Sequence, residues 1–344
     1  MTTVIVMVRN ATVALFLLMT GAAGIYALED LPLVNTQTVS LAEAEGLSIS
    51  YGADAVILRE SDGDALVIRE YMEINKPRYY AQISRSGSTV HIKRGRRPWL
   101  IWLRKARAEI YLPRSFRGDL RLVNSGGDLS AETDLLNYKT IDINVGSGSV
   151  HLNRLSGETL SVRVSSGNLD VAGIAGSFFV SVSSGKLQIG DLTGPEHRIK
   201  VSSGQTRIGA MQGSAHIVIN SGNIIIEKAL GRMEADISSG TVSVGNFSGE
   251  GSFKINSGTL TLDAAELSGD LRFRLSSGNA ELTFPRELSF NLDAITNSGK
   301  VQVDDDGAPL RISGNSTVLR PFGPSPKRTI FVRTSSGNLI IYRR

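Results

Sequence analysis

The stretch "VSVSSGKLQIG", residues 180–190, is followed after eight residues by "IKVSSGQTRIG", residues 199–209, and the phrase keeps returning. Its glycine recurs as Gly126, Gly148, Gly167, Gly185, Gly204, Gly222, Gly240, Gly258, Gly278, Gly299 and Gly337, at intervals of 22, 19, 18, 19, 18, 18, 18, 20, 21 and 38 residues. The last interval reads as two periods with a degraded copy between. A period so short and regular marks an architecture in which each repeat is one unit stacked on the next.

The apolar columns are fixed relative to this glycine. Five residues before it stand Ile143, Val162, Val180, Ile199 and Ile217, and three before it Val145, Val164, Val182, Val201 and Ile219. Two after it come Val150, Leu169, Leu187 and Ile224, and four after it Leu152, Val171, Ile189, Ile208 and Ile226. Alternation with period two, rich in β-branched residues, is the pattern of strands with one buried face. A second corner follows each such strand, with an apolar residue and then glycine, as in Ile174 to Gly176 and Leu192 to Gly194. Glycine reaches positive φ at little steric cost, so two glycine corners per coil let short strands wind back over themselves. An antiparallel sandwich would not need the same residue at the same place in every unit, whereas stacked coils put like above like about 4.8 Å apart. The expected fold is all-β, a parallel β-helix or single-stranded β-solenoid of about 18–20-residue coils with a β-rich N-terminal cap. The serines beside each glycine read as turn ladders whose side chains satisfy backbone groups at the corner.

Residues 11–28, "ATVALFLLMTGAAGIYAL", are uncharged and apolar, with Arg9 before and Glu29 and Asp30 after. That charge order leaves the N-terminus in the cytoplasm and exports the rest of the chain, so residues 1–28 read either as a cleaved signal peptide or as a single membrane anchor. Residues 30–117 read as the cap and 118–344 as the coils, with an irregular loop at 304–328 where four prolines break the pattern. The final "TIFVRTSSGNLIIYRR" restores one coil and ends on a polar close, Arg343 and Arg344. The chain of 344 residues is 41% hydrophobic but only 6% aromatic, which suits a long, thin aliphatic core. It has no cysteine, which removes disulfides, thiol nucleophiles and a lipid-modified cysteine.

The repeats "SSGNLDV", "SSGKLQIG" and "NSGNIIIE", preceded by "AEIYLP" at 108–113, resemble the bacterial putative-adhesin family of unknown function, related to the toast-rack domains of envelope-stress systems. The resemblance covers about residues 40–344. It implies an extracytoplasmic β-helical domain, often tethered by one membrane segment, with no enzymatic residues to carry over. Members without an N-terminal apolar run sit beside transcriptional regulators; this chain has the run.

No nucleophile elbow, zinc-protease helix or phosphate-binding loop is present. The histidines, His91, His151, His197 and His216, occupy different places in their repeats and read as solvent-exposed. Some β-helices degrade acidic polysaccharides with clustered carboxylates. Here the outward column three residues after the glycine reads Asp170, Gln188, Arg207, Ile225, Ser243, Thr261, Glu281, with its carboxylates six coils apart. "VDDDG" at 303–307 supplies hard oxygen atoms but reads better as a turn than as a calcium site. An ice-binding face would need outward threonine in coil after coil, and only Thr259 and Thr261 oblige. No metal and no cofactor is assigned.

The one local anomaly is "KRGRRPWLIWLRKAR", residues 93–107, with Lys93, Arg94, Arg96, Arg97, Arg104, Lys105 and Arg107, no acidic residue, and both tryptophans, Trp99 and Trp102. Without it the other 329 residues carry 30 basic against 33 acidic side chains. Such a segment suits an anionic membrane surface, a cell-wall polymer or an envelope protein, and it equally suits a cap whose apolar centre packs on the solenoid end. Nucleic acid is not expected for an exported chain. The residues together read as a non-enzymatic, exported cell-envelope interaction module, an adhesin or surface-binding protein held in the periplasm or at the cell surface. A membrane-tethered stress-signalling component and a polysaccharide-active enzyme are the alternatives.

Overall fold

The computed structural model describes residues 31–52, 54–96, 106–305 and 309–344. In chain order the N-terminal strands are β1 (Leu33–Ser40), β2 (Gly46–Tyr51), β3 (Ala55–Ser61), β4 (Ala65–Met72), β5 (Gln82–Ser86), β6 (Thr89–Lys93), β7 (Ala106–Pro113), β8 (Asp119–Asn124) and β9 (Asp128–Ala131). The long central strands are β10 (Leu135–Val145), β11 (Ser149–Val164), β12 (Asn168–Val182), β13 (Lys186–Val201), β14 (Gln205–Ile219), β15 (Asn223–Ile237), β16 (Thr241–Ile255) and β17 (Thr259–Leu275). The C-terminal strands are β18 (Asn279–Phe284), β19 (Phe290–Thr296), β20 (Lys300–Asp304), β21 (Leu310–Ser313), β22 (Ser316–Phe322), β23 (Arg328–Thr334) and β24 (Asn338–Arg343). Among the described residues no helix is long and apolar enough to cross a membrane. The expected signal peptide or anchor at residues 1–28 lies outside them.

The solenoid expected from the repeats is what forms. Neighbouring central strands pair in parallel with equivalent residues opposed, as in Leu169↔Leu187, Val171↔Ile189, Val180↔Ile199 and Val182↔Val201 between β12 and β13. Each long strand bends at its second corner, so the ladder folds into two facing halves. Residues after a Ser-Gly corner build the first sheet, and residues before the next such corner build the second. Val164, Val182, Val201 and Ile219 form one in-register row, all buried between the halves. Burying each such side chain stabilises the fold by about 1.5–3 kcal/mol. Like stacks on like even for the aromatics: Phe253 lies over Phe273 with ring centroids 5.1 Å apart.

Two expectations about the corners are corrected. The Ser-Gly glycines do not have positive φ; four second-corner glycines do, Gly176, Gly194, Gly213 and Gly231, Gly213 at 131°. At the first corner glycine is required by space, since a Cβ on Gly222 would lie 2.5 Å from the Gly204 carbonyl oxygen and 2.6 Å from Cγ1 of Val201. Nor do the serine side chains satisfy the corner backbone. The amides of Ser184 and Lys186 donate to the carbonyls of Ser165 and Gly167 one coil below, at 2.8 and 3.0 Å. Among the described residues only Ser147, of these serines, bonds a backbone carbonyl, that of Ser125.

Both ends depart from the order of the chain. At the N-terminal end β2 and β3 stack on β8 and β9, and β6 and β7 stack outside them, so that the β-rich segment read as the cap contributes two coils of its own. The antiparallel strands β5 and β4 then close the end, with β1 paired to β4. "SRSGSTVHI", which echoes the corner phrase, is a hairpin between β5 and β6, turning at Gly87 with φ 57°. At the other end the last coil, β23 and β24, inserts between β17–β18 and β19–β20. The stretch expected as an irregular loop at 304–328 contains β21 and β22, which run antiparallel to β20 and β19 and cover the outermost coil. Pro321 stands in β22, which pairs only with β19, and an edge strand tolerates the missing donor. Arg343 is no polar close: it is 9% exposed, pairs with Asp305 at 2.7 Å and donates to the carbonyls of Arg286 and Leu288.

Candidate functional site

In the second sheet the residues three and five before each corner glycine from Gly148 onward point inward, so those four and six before it point out; before Gly126 the pattern is shifted by one residue, with Leu120 and Leu122 inward and Arg121 and Val123 outward. Followed coil by coil, the outward position four before the glycine gives one continuous row: Lys93, Ser50, Val123, Asn144, Arg163, Ser181, Lys200, Val218, Asp236, Lys254, Arg274, Arg333 and Ile295. Six members are cationic and one, Asp236, is acidic. The displaced C-terminal coil completes the densest part, setting Arg333 beside Arg274 although 59 residues separate them in the chain. Like charges directly opposed on neighbouring strands are destabilising, and in the trio Lys254, Arg274 and Arg333 this repulsion is offset only in part, by Asp293 paired with Arg333 and by Asp236 next to Lys254 in the row.

The row is flanked by two shallow depressions. One, of about 580 Å³, is lined by Ser161, Arg163, Phe179, Ser181, Arg198 and Lys200. The other, of about 390 Å³, is lined by Lys254, Arg274, Asn297, Arg333 and Ser335. Arg198 lies over the Phe179 ring at 5.4 Å and Arg272 over Phe331 at 4.9 Å. Arg163 pairs with Asp142 at 3.1 Å, Arg198 with Glu196 at 2.7 Å and Arg333 with Asp293 at 3.0 Å. Among the described residues no carboxylate pairs with Lys200, Lys254 or Arg274.

The basic segment singled out in the sequence divides. Lys93 is exposed and begins the row. Arg94 pairs at 2.9 Å with Asp54, itself 6% exposed, and Arg107 pairs with Glu109 at 3.4 Å while stacking on Tyr71 at 4.3 Å. These two fasten the roots of the segment to the scaffold. Arg96 is exposed, and its amide donates to the Arg78 carbonyl. Arg97, Trp99, Trp102, Arg104 and Lys105 lie outside the described residues. The row itself was missed in the sequence, although the column four before each glycine reads Arg163, Lys200, Lys254, Arg274 and Arg333 and could have shown it.

The sequence model described as Toastrack DUF4097 matches residues 45–232 and again 177–341. The chain belongs to this family. No curated protein matches it. Among solved structures this Toastrack chain is similar to a "putative adhesin" from Parabacteroides distasonis, 14% identical, covering 91% of this chain and 98% of that one with a TM-score of 0.35. It is also similar to a "putative lipid binding protein" from the same organism, 11% identical, 89% and 96% covered, TM-score 0.37. A third is a "putative cell adhesion protein" from Clostridium sporogenes, 9% identical, 90% and 98% covered, TM-score 0.21.

Elsewhere the Toastrack coils turn their titratable groups to structural ends. His197, expected at the surface, is buried at the second corner, where Nε2–H donates to the Gln212 carbonyl at 2.9 Å and burial holds the ring's pKa below 6.5. His216 is exposed between Glu234 and Asp236. The Tyr138 hydroxyl is pushed up to about 12, chiefly by burial. Asp305, from the acidic turn, is taken by Arg343. Among the described residues no three His, Asp or Glu side chains gather as a metal site.

Proposed function

We propose that this Toastrack chain is an exported, non-enzymatic interaction module of the cell envelope that holds an anionic partner on the outer face of its second sheet. The observation that carries the reading is the single outward row with six cations and one carboxylate, in which Lys200, Lys254 and Arg274 form no ion pair among the described residues. Export is supported by the apolar run at 11–28 with its flanking charges. A binding role in place of catalysis is supported by where the exposed carboxylates go: Asp142 pairs with Arg121 and Arg163, Glu227 with Arg207, Glu234 with Arg232, and Asp293 with Arg333.

The test has two halves. Fractionation with N-terminal sequencing of the full chain should find it outside the cytoplasm; a cytoplasmic protein beginning at Met1 overturns export. The purified protein should bind anionic vesicles or polymers and ignore neutral ones. Binding should weaken as salt shortens the screening length to about 8 Å and below. Equal binding to neutral and anionic surfaces overturns the site.

A further inference from the structure

We infer that the partner is a linear acidic polysaccharide lying along the solenoid axis on the cationic row, which rests on the reading of the second sheet's outer face as the binding surface. Three features of the row lead there.

The positive charge is one residue wide. Two residues away along the strands, on the side of the second corner, the outward row contains Asp142, Glu234 and Asp293 as well as Arg121, Arg198 and Arg272, and beyond it stand Glu196, Glu250 and Asp270. A sheet of anionic headgroups laid on this face would press on those six carboxylates together with the cations. A narrow chain following the row from Arg163 to Arg333 meets five cations and, of carboxylates in the row, Asp236 alone. The spacing is also that of a chain. Parallel strands set successive members about 4.8 Å apart, so that Arg163 to Arg333, seven steps, spans about 34 Å.

The third feature is what borders the row. On its corner side run the exposed or half-buried Ser165, Ser183, Ser202, Asn220, Asn256 and Ser276, whose side chains the corner backbone does not use. They offer hydroxyl and amide groups to a ligand rich in hydroxyls. On its other side Phe179, half-buried, lines the larger depression with Arg198 over its ring, and the pair gives a partly apolar wall for a sugar ring. A polyanion without rings and hydroxyls would leave both borders idle. Carboxylates along the glycan would meet the forked donor of Arg274 and the ammonium groups of Lys200 and Lys254, while Arg163 and Arg333, held by Asp142 and Asp293, would add charge at the two ends of the span.

The experiment titrates the full chain with polygalacturonate oligomers of increasing length, galacturonate monomer, linear polyphosphate and phosphatidylglycerol vesicles. Affinity for the oligomers should rise with length and level off near the 34 Å span, with the monomer bound far more weakly. Replacing Lys200, Lys254 and Arg274 together by Ser should weaken long oligomers about tenfold or more, whereas Lys186, Arg207 and Lys228 replaced by Ser, an equal charge loss on the other sheet, should change them less than about twofold. Asp236→Ser should tighten binding. Equal losses in the two triple variants, or no length dependence, overturn the inference. Tighter binding to vesicles or polyphosphate than to the glycan overturns it while leaving the anionic-surface reading standing, and failure of every anion to bind overturns both.

Discussion

At Gly222 the missing side chain is itself the requirement, because the space a methyl group would fill belongs to the Gly204 carbonyl and to Val201. Gly222→Ala is expected to cost about 1–3 kcal/mol in urea unfolding, since a packed coil cannot give way without opening its neighbour. Gly52→Ala, where a Cβ meets nothing within 4 Å, should change stability by less than about 0.5 kcal/mol. Equal effects at the two sites would refute the close-packing account. His197 carries a different dependence. Its ring sits in the buried row between Phe178 and Ala215, Nε2–H is bonded to Gln212, and Nδ1 has no partner to receive a second proton. Its folded pKa lies below 6.5, from desolvation first, against smaller opposing contributions from the Gln212 carbonyl and Glu196. As pH falls through about 6.5 the unfolded ring takes up a proton that the folded ring resists. Stability then drops by up to about 1.4 kcal/mol per pH unit until the folded pKa is reached. His197→Leu, which keeps the row apolar, should remove this component; if parent and variant lose the same stability between about pH 7 and pH 5.5, His197 is not its source.

Among the elements, the last coil shows what sequence can and cannot disclose. Its columns, Ile330 and Val332 before Gly337 and Leu339 and Ile341 after, were readable because each coil reports its own period-two pattern. Its place was not, since every coil offers neighbours the same aliphatic columns and the same corner, and any coil edge pairs with any other. The 38-residue final interval was the one trace of the detour: it holds the β21–β22 hairpin that covers the end before the chain returns inside it. Deleting residues 324–344 takes away the neighbours of both β17–β18 and β19–β20 and the Arg343 contact with Asp305. Amides of residues 290–322 should then exchange rapidly with solvent while those of the central strands stay protected, as expected of a nearest-neighbour array. Persistent protection at 290–304 would show that β19–β20 docks directly on β17–β18 and that the inserted coil is dispensable.

For the molecule as a whole, the solenoid was legible and the proposed binding surface only half so. A contiguous run such as residues 93–107 stands out when a chain is read along its length, whereas a row spread over thirteen coils does not. Of that run Lys93 joins the row, while Arg94 and Arg107 serve as fasteners. The adjacency of Arg274 and Arg333 required the order of stacking, which the columns do not encode. The placement of antiparallel strands and a displaced coil at both ends, with uniform parallel coils between, also separates what must stay constant from what is free to vary. The two termini act as bookends, each a self-completing assembly that ignores how many shelves stand between them. Duplicating or losing one 18-residue unit between β11 and β16 lengthens or shortens the track by about 4.8 Å, with no strand changing faces and no new joint to invent. Evolution, or an engineer, therefore has in this chain a gauge graduated in single coils, on which reach is adjusted by copying the interior and leaving the ends alone.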